Sequence, residues 1–162
     1  MATKGSATPA TQWLQKHGVA FISHSYEYAA RGGAVDAAHK LGIDLYHTVK
    51  TLVMENEKQQ PLIILMHGDQ SVSTKHLARQ TGAKHIQACT PDTAQRHSGY
   101  LVGGTSPFGL RKPMPIWVQH SILELEQVWI NGGKRGLLLQ LNPKIIRNPL
   151  GAQPVDVQNS SS

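Results

Sequence analysis

The chain has 162 residues, 40% of them hydrophobic, which is enough for one domain with its own core and too apolar for a disordered chain. No charged and apolar leader opens it and no apolar stretch approaches the roughly 20 residues that span a bilayer, so we expect a soluble cytoplasmic protein without a membrane partner. The single cysteine, Cys89, excludes an internal disulfide, and the nine histidines show no pair at zinc-site spacing, so neither a metal nor another cofactor is expected.

The formal net charge of +6 is unevenly distributed. Residues 1–74 hold six basic and six acidic side chains, whereas residues 75–162 hold ten basic and four acidic ones. A basic half attracts phosphates over long range without reading a base sequence. The charge pattern therefore favours a polyanionic partner, although any single one of these cations could equally be an ordinary solvated surface charge.

The predicted elements alternate between helices and strands. The first helix covers 9–17, because Pro9 follows Thr8 at a favourable helix start and Gly18 ends the pattern. The remaining elements are strand 19–26, helix 33–41, strands 50–55 and 62–66 joined by a polar turn at 56–60, helix 74–81, strand 85–89, helix 91–97, strands 116–119, 127–130 and 137–141, and a short helix after Pro143.

This alternation predicts an α+β fold, with a curved or barrel-like mixed sheet surrounded by helices in a single domain. We expect the domain to occupy residues 8–147. Residues 1–7 are expected to be a flexible N-terminus. Residues 148–162, which contain Pro, Gly and Asn and close with three serines, are expected to be a flexible C-terminal tail.

Two glycine-rich segments interrupt the second half of the chain. Gly99 to Gly109 carries four glycines and Pro107, a composition that lets successive backbone N–H groups converge on an oxyanion. The second segment, Asn131 to Gly136, is also rich in glycine and in addition carries two cations, Lys134 and Arg135. Neither is a phosphate-binding P-loop, because Gly133-Lys134 is followed by an arginine where that motif needs Ser or Thr. Two tight turns in a sheet protein would explain either segment alone.

Three side chains are candidates for a catalytic role. Lys50 begins an apolar strand, where a long cation either reaches out to solvent or enters a polar cleft. Ser106 has no histidine close to it in sequence, so we expect a turn or substrate contact and not a nucleophile. Cys89 lies at the end of the short predicted strand 85–89 and is expected to pack as a small buried side chain.

Together with Lys50-Thr51-Leu52, the two glycine-rich segments resemble the YbaK family of aminoacyl-tRNA deacylases, which are freestanding relatives of the editing domain of prolyl-tRNA synthetase. The resemblance extends from about Thr8 to Ile146, through short motifs such as His24-Ser25-Tyr26-Glu27 in the family's order. It implies the fold predicted above and an enzyme that hydrolyses the ester of a mischarged aminoacyl-tRNA as a step of translation fidelity.

The resemblance also implies roles for individual residues. The family's functional lysine falls on Lys50, which would hold the tRNA end or stabilise the oxyanion, and its Gly-x-x-x-Pro motif falls on Gly103 to Pro107. Substrate contacts are expected from Tyr26, Thr51, Gly103, Gly104, Ser106, Pro107, Gly132 and Gly133. Contacts with tRNA phosphates are expected from Arg111, Lys112, Lys134 and Arg135.

The expected substrate is tRNA(Pro) mischarged with a small amino acid, and the expected partner is prolyl-tRNA synthetase in a transient complex. The Lys134-Arg135 segment favours the cysteine branch of the family, but Pro107-Phe108-Gly109 is closer to the alanine branch. Tyr28 stands where the family commonly has histidine, and Leu138 where it often has a polar residue. The attacking group would be the substrate's own thiol in the cysteine branch and water in the alanine branch.

Two other classes of function stay open on the sequence alone. One is a non-catalytic module that binds tRNA or a synthetase, and the other is a small-molecule binder that uses the glycine segments as anion sites. The polar turn at 67–71, His-Gly-Asp-Gln-Ser, replaces an apolar continuation in the family and has no evident purpose in the sequence.

Overall fold

The computed structural model describes residues 7–159 and contains ten strands and five α-helices within that range. The strands are β1 (Ile22–Ser25), β2 (Thr48–Asn56), β3 (Pro61–His67), β4 (Ser71–Val72), β5 (Ile86–Ala88), β6 (Ile116–Gln119), β7 (Val128–Asn131), β8 (Leu137–Leu141), β9 (Gln153–Val155) and β10 (Gln158–Asn159). The helices are α1 (Pro9–Lys16), α2 (Gly33–Leu41), α3 (Thr74–Thr81), α4 (Pro91–Ser98) and α5 (Lys144–Arg147).

Two helices start with the same Thr-Pro pair. The Thr8 hydroxyl accepts a hydrogen bond from the Thr11 amide at 3.1 Å, and Pro9 occupies the first turn of α1. At α4, Thr90 caps the helix and Pro91 follows it. In both cases the threonine oxygen satisfies an amide that the first turn leaves unpaired, and the proline costs no hydrogen bond there.

Strand β2 is central to the eight-stranded mixed sheet, whose order is β1-β8-β7-β2-β3-β6-β9, with β5 also paired to β2. Strand β3 covers one side of β2 as an antiparallel hairpin partner. On the other side, β7 pairs with Thr48 and Val49, and β5 pairs with Met54, Glu55 and Asn56. In the described part of the chain, residues 50–52 therefore have no strand on that side, and the sheet has an opening there.

Alternate residues of β2 face two different hydrophobic clusters. Val49 and Val53 point into the larger cluster, which also contains residues of β7, β8 and α1. Leu52 and Met54 point to the opposite face, where they pack with Leu77 of α3 in the smaller cluster. Since side chains alternate along a strand, Lys50 projects from this second face.

The α+β fold with a mixed sheet is confirmed, and the helices and strands lie close to their predicted bounds. The short strands β4, β9 and β10 were not predicted. Within residues 7–159, no helix is long and apolar enough to cross a membrane. The predicted start of the domain at residue 8 stays a prediction.

The expectation of a flexible tail over residues 148–162 needs a correction for residues 148–159. Strand β9 extends the large sheet beside β6, and β10 pairs with β4. Val157 is fully buried, and its backbone amide donates to the Gln119 side chain at 2.8 Å while its carbonyl accepts from the Ser73 amide at 2.7 Å. Residues 1–6 and 160–162, which carry the rest of the two flexible-terminus predictions, lie outside the described residues.

We predict that Val157→Ala lowers the free energy of unfolding by about 1–3 kcal/mol, because it removes two buried methyl groups from the smaller cluster. Gln158→Ala is the matched control, since Gln158 is exposed in the next position. Urea unfolding followed by circular dichroism measures both. Equal stability of the two variants would show that the C-terminal segment is not part of the folded core.

Candidate functional site

The first glycine-rich segment is a closed loop anchored in the core. It begins where Gly99 ends α4 in a left-handed conformation, with φ +83°. The Tyr100 hydroxyl donates to the Phe108 carbonyl at 2.6 Å, and both side chains are buried in the larger cluster. Between these anchors, Leu101 and Val102 remain exposed at 51% and 44%. The loop therefore has a fixed base and an accessible apolar tip.

The second glycine-rich segment, the β7–β8 turn, holds that tip in place. The Asn131 side-chain amide donates to the Gly103 carbonyl at 3.0 Å, and its oxygen accepts from the Gly133 amide at 2.8 Å. The Arg135 guanidinium donates to the Val102 carbonyl at 2.9 Å. A Cβ atom at Gly104 would lie only 2.9 Å from the backbone of the β7–β8 turn, so only glycine permits this contact.

Two tyrosines of the segment after β1 lie at this site, Tyr28 beside the glycine loop and Tyr26 beside the β7–β8 turn. A Cβ on Gly103 would lie 2.5 Å from the Tyr28 hydroxyl, and the Arg135 guanidinium lies 5.2 Å from the centre of the Tyr28 ring. The Tyr26 amide donates to the Gly136 carbonyl at 2.9 Å. Burial raises the pKa of Tyr26, so its hydroxyl keeps its proton and can donate a hydrogen bond at neutral pH.

Lys50 lies on the same sheet face as Asn131, the residue that bonds the glycine loop to the β7–β8 turn. Val49 is paired with Ile130 in the parallel β2–β7 ladder, and both point into the larger cluster. The next residues, Lys50 and Asn131, therefore project together from the other face. Because the opening at residues 50–52 adjoins this position, Lys50 is accessible beside the end of β7.

The polar turn at 67–71 positions Lys50. The Lys50 ammonium donates to the Gln70 carbonyl at 2.5 Å, and the Gly68 amide donates to the Thr48 carbonyl at 2.6 Å. Burial lowers the pKa of Lys50, and the nearby Asp69 carboxylate opposes that shift.

His67 anchors this turn. It is fully buried, and its ring stacks on Tyr46 with centroids 3.9 Å apart. Its Nδ1 donates to the Tyr46 carbonyl at 2.6 Å, which leaves Nε2 to accept from the Ser121 hydroxyl at 2.7 Å. Burial is the main cause that lowers the pKa of His67, so the neutral ring is the form that this site favours.

A cavity of 620 Å³ opens on the Lys50 face of the sheet. Trp129 lines it and is paired with Thr48, two residues before Lys50 and about 7 Å along the strand. The Trp129 indole N–H is buried and, among the described residues, has no hydrogen-bond partner. Lys50 thus lies level with the clamp, defined as the Asn131 side chain with its hydrogen bonds to Gly103 and Gly133, and two residues from the Thr48–Trp129 pair at the cavity.

The structure brings most of the predicted contact residues together, but not all of them. Gly103, Gly104 and Gly133 meet at the clamp described above. The Gly132 carbonyl accepts from the Thr8 hydroxyl at 2.5 Å, so its backbone is already engaged. Thr51 projects from the core face, opposite to Lys50, and its buried hydroxyl has no partner among the described residues.

Other predicted residues lie below or beside the loop. Ser106 is fully buried and its hydroxyl accepts from the Phe108 amide at 3.4 Å, so it is a turn residue, and Pro107 is buried with it. Lys134 and Arg135 adjoin the tip of the loop, whereas Arg111 contacts its base at Gly99. Lys112 lies beside α4, with its ammonium 3.3 Å from His97.

Sequence reasoning missed Asn131, Tyr28 and Gln70 as parts of this site. Asn131 could have been found, because an asparagine before two glycines is typical of a side chain that bonds its own turn. Tyr28 differs from the histidine that is common in the family, a difference that does not by itself assign it a contact with the loop. Gln70 acts through its carbonyl, which leaves no signal in the choice of side chain.

Comparison with known protein families identifies the family of this chain. The model of the aminoacyl-tRNA editing domain covers residues 31–148, which include Lys50 and both glycine-rich segments. The chain belongs to the aminoacyl-tRNA editing domain family. The predicted resemblance is thereby confirmed, and so, at the level of the family, is the prediction of an aminoacyl-tRNA editing enzyme.

Relatives of this editing domain include freestanding proteins and domains of a synthetase. A protein of Enterococcus faecalis named "Putative Cys-tRNA(Pro)/Cys-tRNA(Cys) deacylase EbsC" is 26% identical over 151 residues, covering 93% of this chain and 92% of the relative. The proline--tRNA ligase of Brachyspira hyodysenteriae is 24% identical over 86 residues, 53% of this chain and 15% of the ligase.

A solved structure supports the fold of the editing domain over its full length. The crystal structure of "a putative trans-editing enzyme for prolyl tRNA synthetase" superposes with a TM-score of 0.82 at 25% identity, covering 98% of this chain and all of that one.

We predict that Asn131→Ala loosens the tip of the glycine loop, since it removes both bonds of the clamp. Amide hydrogen exchange of residues 101–105 should become faster while the core strands keep their protection. Asn131→Asp is the matched control, because it keeps the acceptor for the Gly133 amide and loses only the donor to Gly103. Unchanged exchange in both variants would show that Asn131 does not hold the loop.

Proposed function

We propose that this editing domain hydrolyses tRNA(Pro) mischarged with a small amino acid, with cysteine as the preferred aminoacyl group, and releases free amino acid and tRNA. The observation that carries the proposal is the placement of Lys50 on the same face as Asn131, whose side chain holds the exposed Gly103 of the glycine loop. A cation and a rigid backbone loop on one surface can bind an ester carbonyl together.

Lys50 is the proposed electrostatic partner of the reaction. Its ammonium is held by the Gln70 carbonyl, so a negative charge that develops nearby meets a positioned cation without rearrangement. The site is half-buried, which strengthens that interaction relative to water. The lowered pKa also lets Lys50 release a proton more readily than an ordinary lysine, for example to the leaving ribose oxygen.

No protein nucleophile is needed in the proposed mechanism. Ser106 is buried within its own turn, and burial raises the pKa of the Cys89 thiol to about 11, so neither is poised to attack. The substrate's thiol or a water molecule attacks the carbonyl, and the protein contributes orientation. Cysteine as the preferred group rests on the Lys134-Arg135 segment and on the similarity to EbsC, the Enterococcus faecalis relative.

The tRNA is proposed to approach over the loop tip. Lys134 and Arg135 lie at that tip and are the proposed contacts for phosphates of the acceptor end, with Arg111 and Lys112 as further contacts beside the loop base. Phosphate contacts position a nucleic acid without selecting its sequence. We therefore propose that discrimination between tRNA species comes from a transient complex with prolyl-tRNA synthetase, and that the reaction takes place in the cytoplasm.

For Lys50→Ala we expect deacylation of cysteinyl-tRNA(Pro) to fall about 100-fold, equivalent to about 2.7 kcal/mol of transition-state stabilisation. Stability should change by less than about 1 kcal/mol, because Lys50 is not part of a hydrophobic cluster. Lys16→Ala, an exposed lysine at the end of α1, is the control. Wild-type turnover in Lys50→Ala would remove this lysine from the mechanism.

The attacking group is tested with two esters of the same tRNA. Cysteinyl-tRNA(Pro) should be hydrolysed at least about tenfold faster than seryl-tRNA(Pro), because serine has nearly the same size and a much weaker nucleophile. Equal rates would support attack by water. Absence of turnover with cysteinyl-, seryl- and alanyl-tRNA(Pro) would instead identify the protein as a non-catalytic tRNA-binding module.

The proposed tRNA surface predicts a salt effect. Replacing Lys134 and Arg135 together by alanine should weaken tRNA binding and reduce the slope of log affinity against log salt by about one to two units. Replacing Lys75 and Arg79 on the exposed side of α3 removes the same charge and is the matched control. An equal change of slope in both double variants would mean that total charge alone governs binding.

A further inference from the structure

Three potential metal ligands converge at the far end of β2. Glu55 lies in β2, Cys89 follows β5, and His97 lies in the last turn of α4, and their ligand atoms are all within 4.8 Å of one another. Glu55 is five residues from Lys50, or about 17 Å along the strand, and projects from the opposite face. The group is therefore separate from the candidate site described above.

The backbone holds the three residues in place before any ion binds. Glu55 is paired with Gln87 in the β2–β5 ladder, and the Cys89 amide donates to the Val53 carbonyl at 3.1 Å. Helix α4 begins directly after Cys89 and delivers His97 two turns later. Three separate pieces of the chain thus bring one ligand each, which is a site that sequence spacing could not reveal.

Glu55 and His97 already contact each other, and a metal ion could take the place of the proton that they share. His97 Nε2 lies 3.0 Å from the Glu55 carboxylate, and the two side chains retain 13% and 15% exposure. The site is thus mostly dehydrated but open to solvent on one side. Lys112, whose ammonium lies near His97 Nδ1, is exposed and can turn away when that nitrogen carries the ring proton.

We propose that Glu55, Cys89 and His97 form a Zn²⁺ site that fastens α4 to the β2–β5 ladder. Imidazole nitrogen, thiolate sulfur and carboxylate oxygen are the three ligand types that zinc takes in proteins, and a tetrahedral ion would keep a fourth position for water. Because α4 leads directly into the glycine loop at Gly99, the ion would stabilise the base of that loop.

Zinc binding at this site releases one proton. Burial, with a smaller contribution from Glu55, raises the pKa of the Cys89 thiol to about 11, so the free protein holds a thiol that must lose its proton to bind the ion. Zn²⁺ affinity should therefore rise with pH.

The test uses untagged, metal-free protein and two probes, Zn²⁺ and Co²⁺. Calorimetry should show one Zn²⁺ bound per chain, with an increase in melting temperature, and Co²⁺ should give the near-ultraviolet absorption of a cobalt thiolate. Cys89→Ser should abolish that absorption, and His97→Gln and Glu55→Gln should each weaken Zn²⁺ binding by about tenfold or more. His85→Gln, an exposed histidine beside β5, is the control.

Two results would overturn the proposal. One is the absence of a cobalt thiolate signal and of Zn²⁺ binding in the wild-type protein, which does not depend on the folding of any variant. The other is Zn²⁺ binding that is equally strong in Cys89→Ser and in the His85 control, which would place the ion at surface histidines.

Discussion

The close backbone contact between Gly104 and the turn formed by Lys134 and Arg135 is the constraint on which the candidate site depends. It brings two segments that are thirty residues apart in sequence to a separation that no side chain permits. The hydrogen bonds from Asn131 and Arg135 to the loop carbonyls can form only because the backbones are that close. The apolar tip of the loop and two cations consequently lie on one surface. This combination suits the end of an aminoacylated tRNA, which carries an aminoacyl ester next to backbone phosphates.

The second half of the site depends on how the sheet is built around β2. Two different strands share one side of β2, and the gap between them falls at residues 50–52. A lysine in an uninterrupted sheet interior would be costly to bury, whereas here it adjoins an opening and is held by the 67–71 turn. The buried His67 fixes that turn from below. The polar residues that interrupt an apolar strand pattern at this point thus have a structural purpose.

Much of the fold follows from local signals in the sequence. Threonine-proline pairs start α1 and α4, glycines end α2, α3 and α4, and the polar turn at 56–60 joins the β2–β3 hairpin. The short strands β9 and β10 could not be predicted, since Val155 pairs with β6 and Gln158 with β4 only when those distant strands are already placed. The same limit applies to the site. Lys50 and both glycine segments were recognisable as motifs, but the faces on which Lys50 and Thr51 lie, and the carbonyl of Gln70, are set by long-range pairing.

The position of the site can be tested by mapping where an aminoacyl-adenosine binds. A non-hydrolysable 3′-amide analogue of cysteinyl-adenosine, added to ¹⁵N-labelled protein, should shift the amide signals of Lys50, of residues 103–105 and of residues 131–136 together with one common affinity. The Tyr28 amide should shift with them, since its side chain contacts Gly103. Shifts confined to the cavity between α3 and β5, lined by residues such as Lys75 and His85, would contradict the account and place the ligand on another face of the protein.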